Sequence, residues 1–406
     1  MSERPRSFTH RDGASVLTGA LLVLVGCSRG GDAVPASDKS AVPAVAPAVA
    51  PAPAPAKTTP ALPPCSSLAF VSERDGNPEI YTLSLADGAL IRRTKDPAGD
   101  FATPIIEPVI QTAAGPTPAL VMIRADERDG SHRERLALLP LDAEVRQPPY
   151  FLGAAGRIRN PSAPARGGWI VYESDLNSFR DLYRLDLRDA AATPTRLTDN
   201  KQGNFEPAVS ADGQRIAFVS SRDGDAELYV MQADGSEQRR LTEHRGDDSA
   251  PRWSPDGSAL AFTRAEGGSE RAFILAMRGA SASGEPRPLR RVAPVDRGLD
   301  RDLAWSADGT KLALTEAKPG RGEVVVFEVA TGEELRRSGA KKIDEQPAWA
   351  PEGSWLAFVS DREGDAELFR LHVETGEIAR LTNAPGPDWL PRWYSNDCDP
   401  ARASHG

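Results

Sequence analysis

From Cys65 onward the chain repeats itself, and each repeat turns on an Asp-Gly or Glu-Gly pair. The fullest copies read FEPAVSADGQRIAFVSSRDGDAELYVMQADGSEQRRLT from Phe205 to Thr242 and EQPAWAPEGSWLAFVSDREGDAELFRLHVETGEIARLT from Glu345 to Thr382. Partial copies begin at Ser249 and Arg301, an opening copy runs from Leu68 to Gly88, and two degenerate copies start at Ala119 and Gly167. Asp212-Gly213, Asp256-Gly257, Asp308-Gly309 and Glu352-Gly353 are hairpin signals between apolar runs. Each copy therefore reads as four short antiparallel strands, and a period near 44 residues (262 − 218 and 358 − 314) is that of a propeller blade.

The apolar second strands are anchored by Phe70, Val121, Val171, Phe218, Phe262, Leu314 and Phe358. They predict an all-β propeller over residues 65–398 with seven four-stranded blades, six being the alternative. The two ends complement each other. Pro391-Arg392-Trp393 repeats the first-strand motif Pro251-Arg252-Trp253 with no second strand after it, while Leu68 to Ser72 is a second strand with no first strand before it. Pairing of the terminal strands in one blade is expected to close the ring and remove a free edge.

Arg4, Arg6 and Arg11 precede the apolar run Val16 to Val25, which is too short to span a bilayer and has signal-peptide proportions. Leu24-Val25-Gly26-Cys27 resembles the lipobox of bacterial lipoproteins. That resemblance implies a signal peptide over 1–26, lipidation of Cys27, and a membrane anchor of several acyl chains. Ser28 in place of Asp favours the outer membrane. Residues 27–64 form a Pro/Ala-rich tether that favours polyproline II and reaches about 100 Å when extended. Residues 399–406 are expected to be a disordered tail.

Once Cys27 is lipidated, Cys65 and Cys398 are the two remaining thiols. They flank the point where the split blade lacks its hairpin. In an oxidising compartment a disulfide there is expected, with two free buried thiols as the alternative.

The repeat signature runs Pro-x-Trp-Ser-Pro-Asp-Gly, Ala-Phe, Ser-x-Arg-Asp-Gly-x-x-Glu-Leu-Tyr, Arg-Leu-Thr. It resembles the TolB family of WD-repeat-like propellers and spans nearly all of 65–398. The resemblance implies a periplasmic propeller that binds other proteins or assists envelope processes. The family's α/β domain before the propeller has its place taken here by the tether.

A net charge of −9 argues against a nucleic-acid partner. Acids recur just before the first strands, at Glu206, Asp248, Asp302, Glu345 and Asp388, near the turns that hold Arg74, Arg222 and Arg362. Together these are the candidate channel-face residues, able to attract a basic peptide or a cation, or simply to pair with one another. The repeat Trp residues are expected to pack between blades. No His-Glu-x-x-His, Gly-x-Ser-x-Gly elbow or phosphate loop is present. Prolyl-oligopeptidase-type enzymes add to such propellers a hydrolase domain for which the chain has no room. The expectation is accordingly a monomeric, non-enzymatic scaffold with no cofactor, lipid-anchored in the periplasm with a protein or peptide partner. The rivals are a propeller enzyme such as a carbohydrate lyase, with a metal or small-molecule site in the channel, and a purely structural envelope protein.

Overall fold

The computed structural model describes residues 66–95, 105–112, 115–126, 133–140, 150–151, 157–164, 168–187, 192–290, 298–340 and 342–395. The expected signal peptide, Cys27, the tether, Cys65, Cys398 and the tail 399–406 lie outside the described residues. Every named element is a strand, and the sheets follow the chain in order.

The first strands named are β1 (Ser66–Ser72), β2 (Glu79–Ser84) and β3 (Leu90–Arg92). One four-stranded sheet contains β4 (Ile105–Thr112), β5 (Gly115–Asp126), β6 (Arg133–Pro140) and β7 (Tyr150–Phe151). The next contains β8 (Ile158–Ser162), β9 (Trp169–Ser174), β10 (Asp181–Asp186) and β11 (Thr195–Arg196). A third contains β12 (Asn204–Val209), β13 (Arg215–Ser220), β14 (Glu227–Gln232) and β15 (Arg239–Arg240).

A nine-stranded sheet follows. Its first part is β16 (Asp248–Trp253), β17 (Ala259–Glu266), β18 (Ser269–Arg278), β19 (Ser281–Ala282) and β20 (Arg287–Pro288). Its second part is β21 (Leu299–Trp305), β22 (Lys311–Lys318), β23 (Arg321–Glu328) and β24 (Glu334–Arg337), joined to β18 through the parallel pair Glu270 and Leu299. Another four-stranded sheet holds β25 (Asp344–Trp349), β26 (Trp355–Ser360), β27 (Glu367–His372) and β28 (Ile378–Arg380). The last strand, β29 (Asp388–Ser395), lies antiparallel against β1, so the sheet order is β29-β1-β2-β3. The terminal strands thus share one sheet, and the fold is an all-β propeller of antiparallel sheets.

Period-two alternation puts the core between sheets rather than inside one. Phe218, Ile216 and Tyr229 pack with Trp169, Val171 and Leu182 of the preceding sheet. Their chain neighbours Ala217, Val219 and Leu228 pack with Leu260, Phe262 and Phe273 of the following one. All seven expected anchors are wholly buried, which stabilises by about 2 kcal/mol for each Phe or Leu. A Trp near the end of β16, β21, β25 and β29 ties sheets together. Nε1 of Trp253, Trp305, Trp349 and Trp393 donates to the carbonyls of Ala208, Arg252, Ala304 and Ala348, at 2.9–3.0 Å.

The first strands of successive sheets touch in the order β8, β12, β16, β21, β25, β29, β4, so this edge of each sheet faces the axis. These strands are bulged. The register slips between Phe205 and Ala208, Ser249 and Arg252, Arg301 and Ala304, and Glu345 and Ala348. In each slip one residue takes a positive φ: Glu206 (50°), Ala250 (53°), Asp302 (55°) and Gln346 (57°). Asn160 (46°) and Leu390 (54°) do so in β8 and β29. A bulge leaves one residue unpaired and turns its amide out of the ladder.

Candidate functional site

The repeat motifs converge on the face that carries the Arg-x-Gly turns, and most of their polar atoms bond to one another there. Arg222 lies over the Tyr229 ring, 4.5 Å from its centroid, and donates to Ser220 Oγ at 2.9 Å and Asn204 Oδ1 at 3.0 Å. Arg362 repeats this with Ser360 and Asp344, and Arg74 with Ser72 and Asp388. In the β16–β17 pair the arginine comes from the strand itself: Arg264 forks onto Asp248 at 2.7 and 2.8 Å. The Glu of Glu-Leu-Tyr and the Arg and Thr of Arg-Leu-Thr form a second network. Glu227 accepts from Thr242 Oγ1 at 2.6 Å and Arg240 Nη2 at 2.8 Å, and Thr242 Oγ1 accepts the N–H of Leu228. Glu367, Thr382 and Arg380 repeat it.

The five acids singled out in the sequence fall on three different positions of the first strand. Asp248 and Asp388 start their strands, are fully buried, and are bound to Arg264 and Arg74. Burial pushes both carboxyls up, and the paired guanidinium opposes it. Glu345 sits one place further on, bonded to Arg301 at 2.7 Å, with its carboxyl raised by burial. Glu206 and Asp302 occupy the bulge. A uniform ring of carboxylates at the channel mouth is therefore not what this register builds. The true counterparts of Asp248 and Asp388 are Asn204, Asp300 and Asp344. Registering the repeats at 44 residues finds Asn204 and Asp344; Glu345, one residue along, obscures Asp344.

The bulge residues have a task that the sequence reading missed. Glu206 Oε2 accepts the N–H of Ala250 at 2.6 Å, Gln346 Oε1 accepts that of Leu390 at 2.7 Å, and Asp302 Oδ2 accepts that of Gln346 at 3.3 Å. Each is a latch from one sheet to the next around the axis.

One turn departs from the repeat. Between β9 and β10, Leu176-Asn177-Ser178-Phe179 stands where β13–β14 has Arg222-Asp223-Gly224-Asp225. Asn177 still bonds the Tyr183 hydroxyl, as Asp223 bonds Tyr229, and Ser178 keeps a positive φ of 76°. Leu176, however, replaces the arginine, and Ile158 stands where β12 has Asn204. Leu176 and Phe179 are 49% and 40% exposed.

Among the described residues no group of three or more His, Cys, Asp or Glu side chains is placed to hold a metal ion.

The TolB beta propeller domain family matches residues 182–285 and 291–399, half of the chain. Protein TolB homolog of Chlorobium luteolum is 26% identical over 167 residues, which cover 41% of this chain and 36% of that relative's length. TolB from Acinetobacter baumannii superposes with a TM-score of 0.50 at 19% identity, over 83% of this chain and 88% of that one. An oligogalacturonate lyase in complex with manganese does so with 0.57 at 20% identity, over 78% and 86%. At such identities the likeness is one of fold. It nevertheless corrects the expectation that the chain is not an enzyme. That expectation leaned on the absence of catalytic motifs and on the lack of room for a second, hydrolytic domain, yet a protein named a lyase devotes 86% of its chain to this same fold. By its repeats and its fold, the chain belongs to the TolB β-propeller family.

Proposed function

We propose that this chain is a lipid-anchored propeller on the periplasmic side of the envelope that holds a protein or peptide partner on its Arg-x-Gly face. In this reading Cys27 carries the lipid at the outer membrane, the tether sets the stand-off, and the propeller is a seven-bladed monomer. The count of seven takes the two parts of the nine-stranded sheet as separate blades, since one parallel pair joins them. Asp302 and Glu345 belong to the rim, with the charge of Arg301 against both.

The observation that carries the reading is the exchanged turn. The turns at Arg74, Arg222 and Arg362 hold their arginine in hydrogen bonds to the first strand, whereas the β9–β10 turn presents two large apolar side chains. Adjacent exposed apolar groups on a rigid turn suit a protein contact. The test is crosslinking in living cells with Leu176→Ser and Phe179→Asp together, Asp being what Asp225 and Asp365 supply in sister turns. Loss of the crosslinked species with unchanged melting supports the assignment; an unchanged crosslink pattern overturns it.

A further inference from the structure

One position of the second strands pairs with the residue just before the first-strand bulge. In five of those strands it is Val71, Val219, Thr263, Thr315 and Val359. In β9 it is Glu173, opposite Arg159 of β8 and 1% exposed. A carboxyl has taken the place of a small branched side chain in the wall of the propeller.

One of its oxygens has a structural duty. Oε1 accepts from Nδ2 of Asn160 at 2.6 Å and from the N–H of Glu206 at 2.5 Å. It thus makes toward β12 the latch that Glu206 and Gln346 make further round the ring. The other oxygen has no such duty. Oε2 is buried and has no hydrogen-bond partner. Nη1 of Arg180 stands 4.0 Å from it, which is an ion-pair distance and too long for a hydrogen bond. The Arg180 side chain is itself loosely held. It lies over the Phe205 ring, 5.2 Å from the centroid, forms no hydrogen bond among the described residues and is 38% exposed. Arg180 directly follows Phe179 of the exchanged turn. Burial raises the Glu173 carboxyl, the two donors on Oε1 oppose this, and the charges of Glu206 and Arg180 act in opposite senses. A buried acceptor without a donor is costly, and a donor brought to Oε2 relieves that cost.

We propose that Glu173 and Arg180 hold the backbone of an extended peptide, Oε2 accepting the N–H of one residue and the guanidinium donating to the C=O of the same residue. In an antiparallel pair a residue exchanges both groups with one neighbour, so an extended peptide offers donor and acceptor to the same side. The free oxygen and the free guanidinium, 4.0 Å apart, present the complementary acceptor and donor. Entry requires Arg180 to move off Oε2, and no hydrogen bond opposes that movement. The peptide group is uncharged, so the fit does not depend on the charge balance among Arg159, Glu173, Arg180 and Glu206. This inference rests on the reading of the face as a peptide-binding surface and adds that it reads backbone beside the apolar turn.

The test is equilibrium dialysis of the full mature chain in detergent, with detergent alone as the blank. The probes are the blocked tripeptide acetyl-Ser-Leu-Ser N-methylamide and its ester analogue, in which oxygen replaces the leucine N–H. The parent is expected to bind the amide about tenfold more tightly than the ester. In Glu173→Gln the latch oxygen stays while the free oxygen becomes a donor, so the preference should vanish with melting unchanged. Arg180→Met should weaken both probes about fivefold. Equal binding of the two probes by the parent, a preference that survives Glu173→Gln, or binding of neither probe overturns the proposal. Leu176→Ser with Phe179→Asp separates this from the reading of the turn. If that variant leaves both affinities unchanged, the turn reading fails while the backbone site stands. If it weakens both probes in a parent that shows no preference, the backbone site fails alone.

Discussion

The backbone N–H of Leu390 donates to Oε1 of Gln346, 2.7 Å away in the neighbouring sheet, and both residues hold positive φ, 54° and 57°. The latch and the strain belong together: the bulge that turns the amide out also forces a conformation L-residues avoid. Gln346→Ala should lose about 1 kcal/mol from the missing bond. Gln346→Gly loses the same bond but relaxes the backbone, so it should be less destabilised than alanine by about 1 kcal/mol. Urea unfolding of the three proteins checks this, and a glycine variant no better than alanine rejects the account.

The Arg74–Asp388 pair joins residues 314 apart in sequence, inside the sheet that closes the ring. Arg74→Met strands a buried carboxylate and should cost about 3 kcal/mol. Replacing a buried ion pair by packed apolar side chains of similar volume is often neutral or stabilising. Arg74→Leu with Asp388→Ile is accordingly expected to recover most of the loss. A double variant as unstable as the single one would show that the pair cannot be replaced by packing.

How much of this was legible in the sequence depends on which residues share chemistry. The Asp-Gly turns, the buried Phe anchors and the Pro-Arg-Trp strand that completes the first sheet all read correctly, because turn chemistry and apolar period are local signals. The acids did not. Glu345 is chemically indistinguishable from Asp344 until pairing with β26 places Asp344 opposite Ser360. The bulge was invisible for a different reason: Glu206, Ala250, Asp302, Gln346 and Leu390 have nothing in common except φ. The expectation of a non-enzymatic scaffold, with a propeller enzyme as its rival, failed because a list of motifs cannot exclude chemistry from a fold.

The Asp-Gly turns should give the protein an acid-sensitive contribution. Asp308 accepts from Ser306 Oγ at 2.6 Å and from the N–H of Thr310 at 3.0 Å, and these bonds help hold its carboxyl down to about 2, from 3.8. A depressed carboxyl stabilises the fold above its unfolded value and ceases to as pH falls through the folded one. Asp308→Asn should therefore be less stable than the parent at neutral pH. The gap should close between pH 3.8 and about 2. Buried Asp248 behaves oppositely: its raised carboxyl means that its contribution weakens as pH rises above 3.8. Denaturant midpoints across pH distinguish the two, and a gap for Asp308→Asn that is constant with pH contradicts the turn assignment.

Closure of the ring makes a last prediction about the two thiols. Ser66 of β1 and Ser395 of β29 are directly opposite each other, and Cys65 and Cys398 lie one and three residues beyond them in the chain. In sister repeats a tight Asp-Gly hairpin joins these two strands, whereas here the chain is broken, so a covalent link would restore the missing constraint. A peptide map of the protein from an oxidising compartment should contain Cys65 joined to Cys398. Reduction should lower the melting temperature, since closing so long a loop is worth up to roughly 5 kcal/mol in the chain-entropy view. Cys398→Ser should melt at the temperature of the reduced parent and be insensitive to reductant. Two free thiols in the oxidised protein would mean that backbone pairing between β1 and β29 closes the ring unaided.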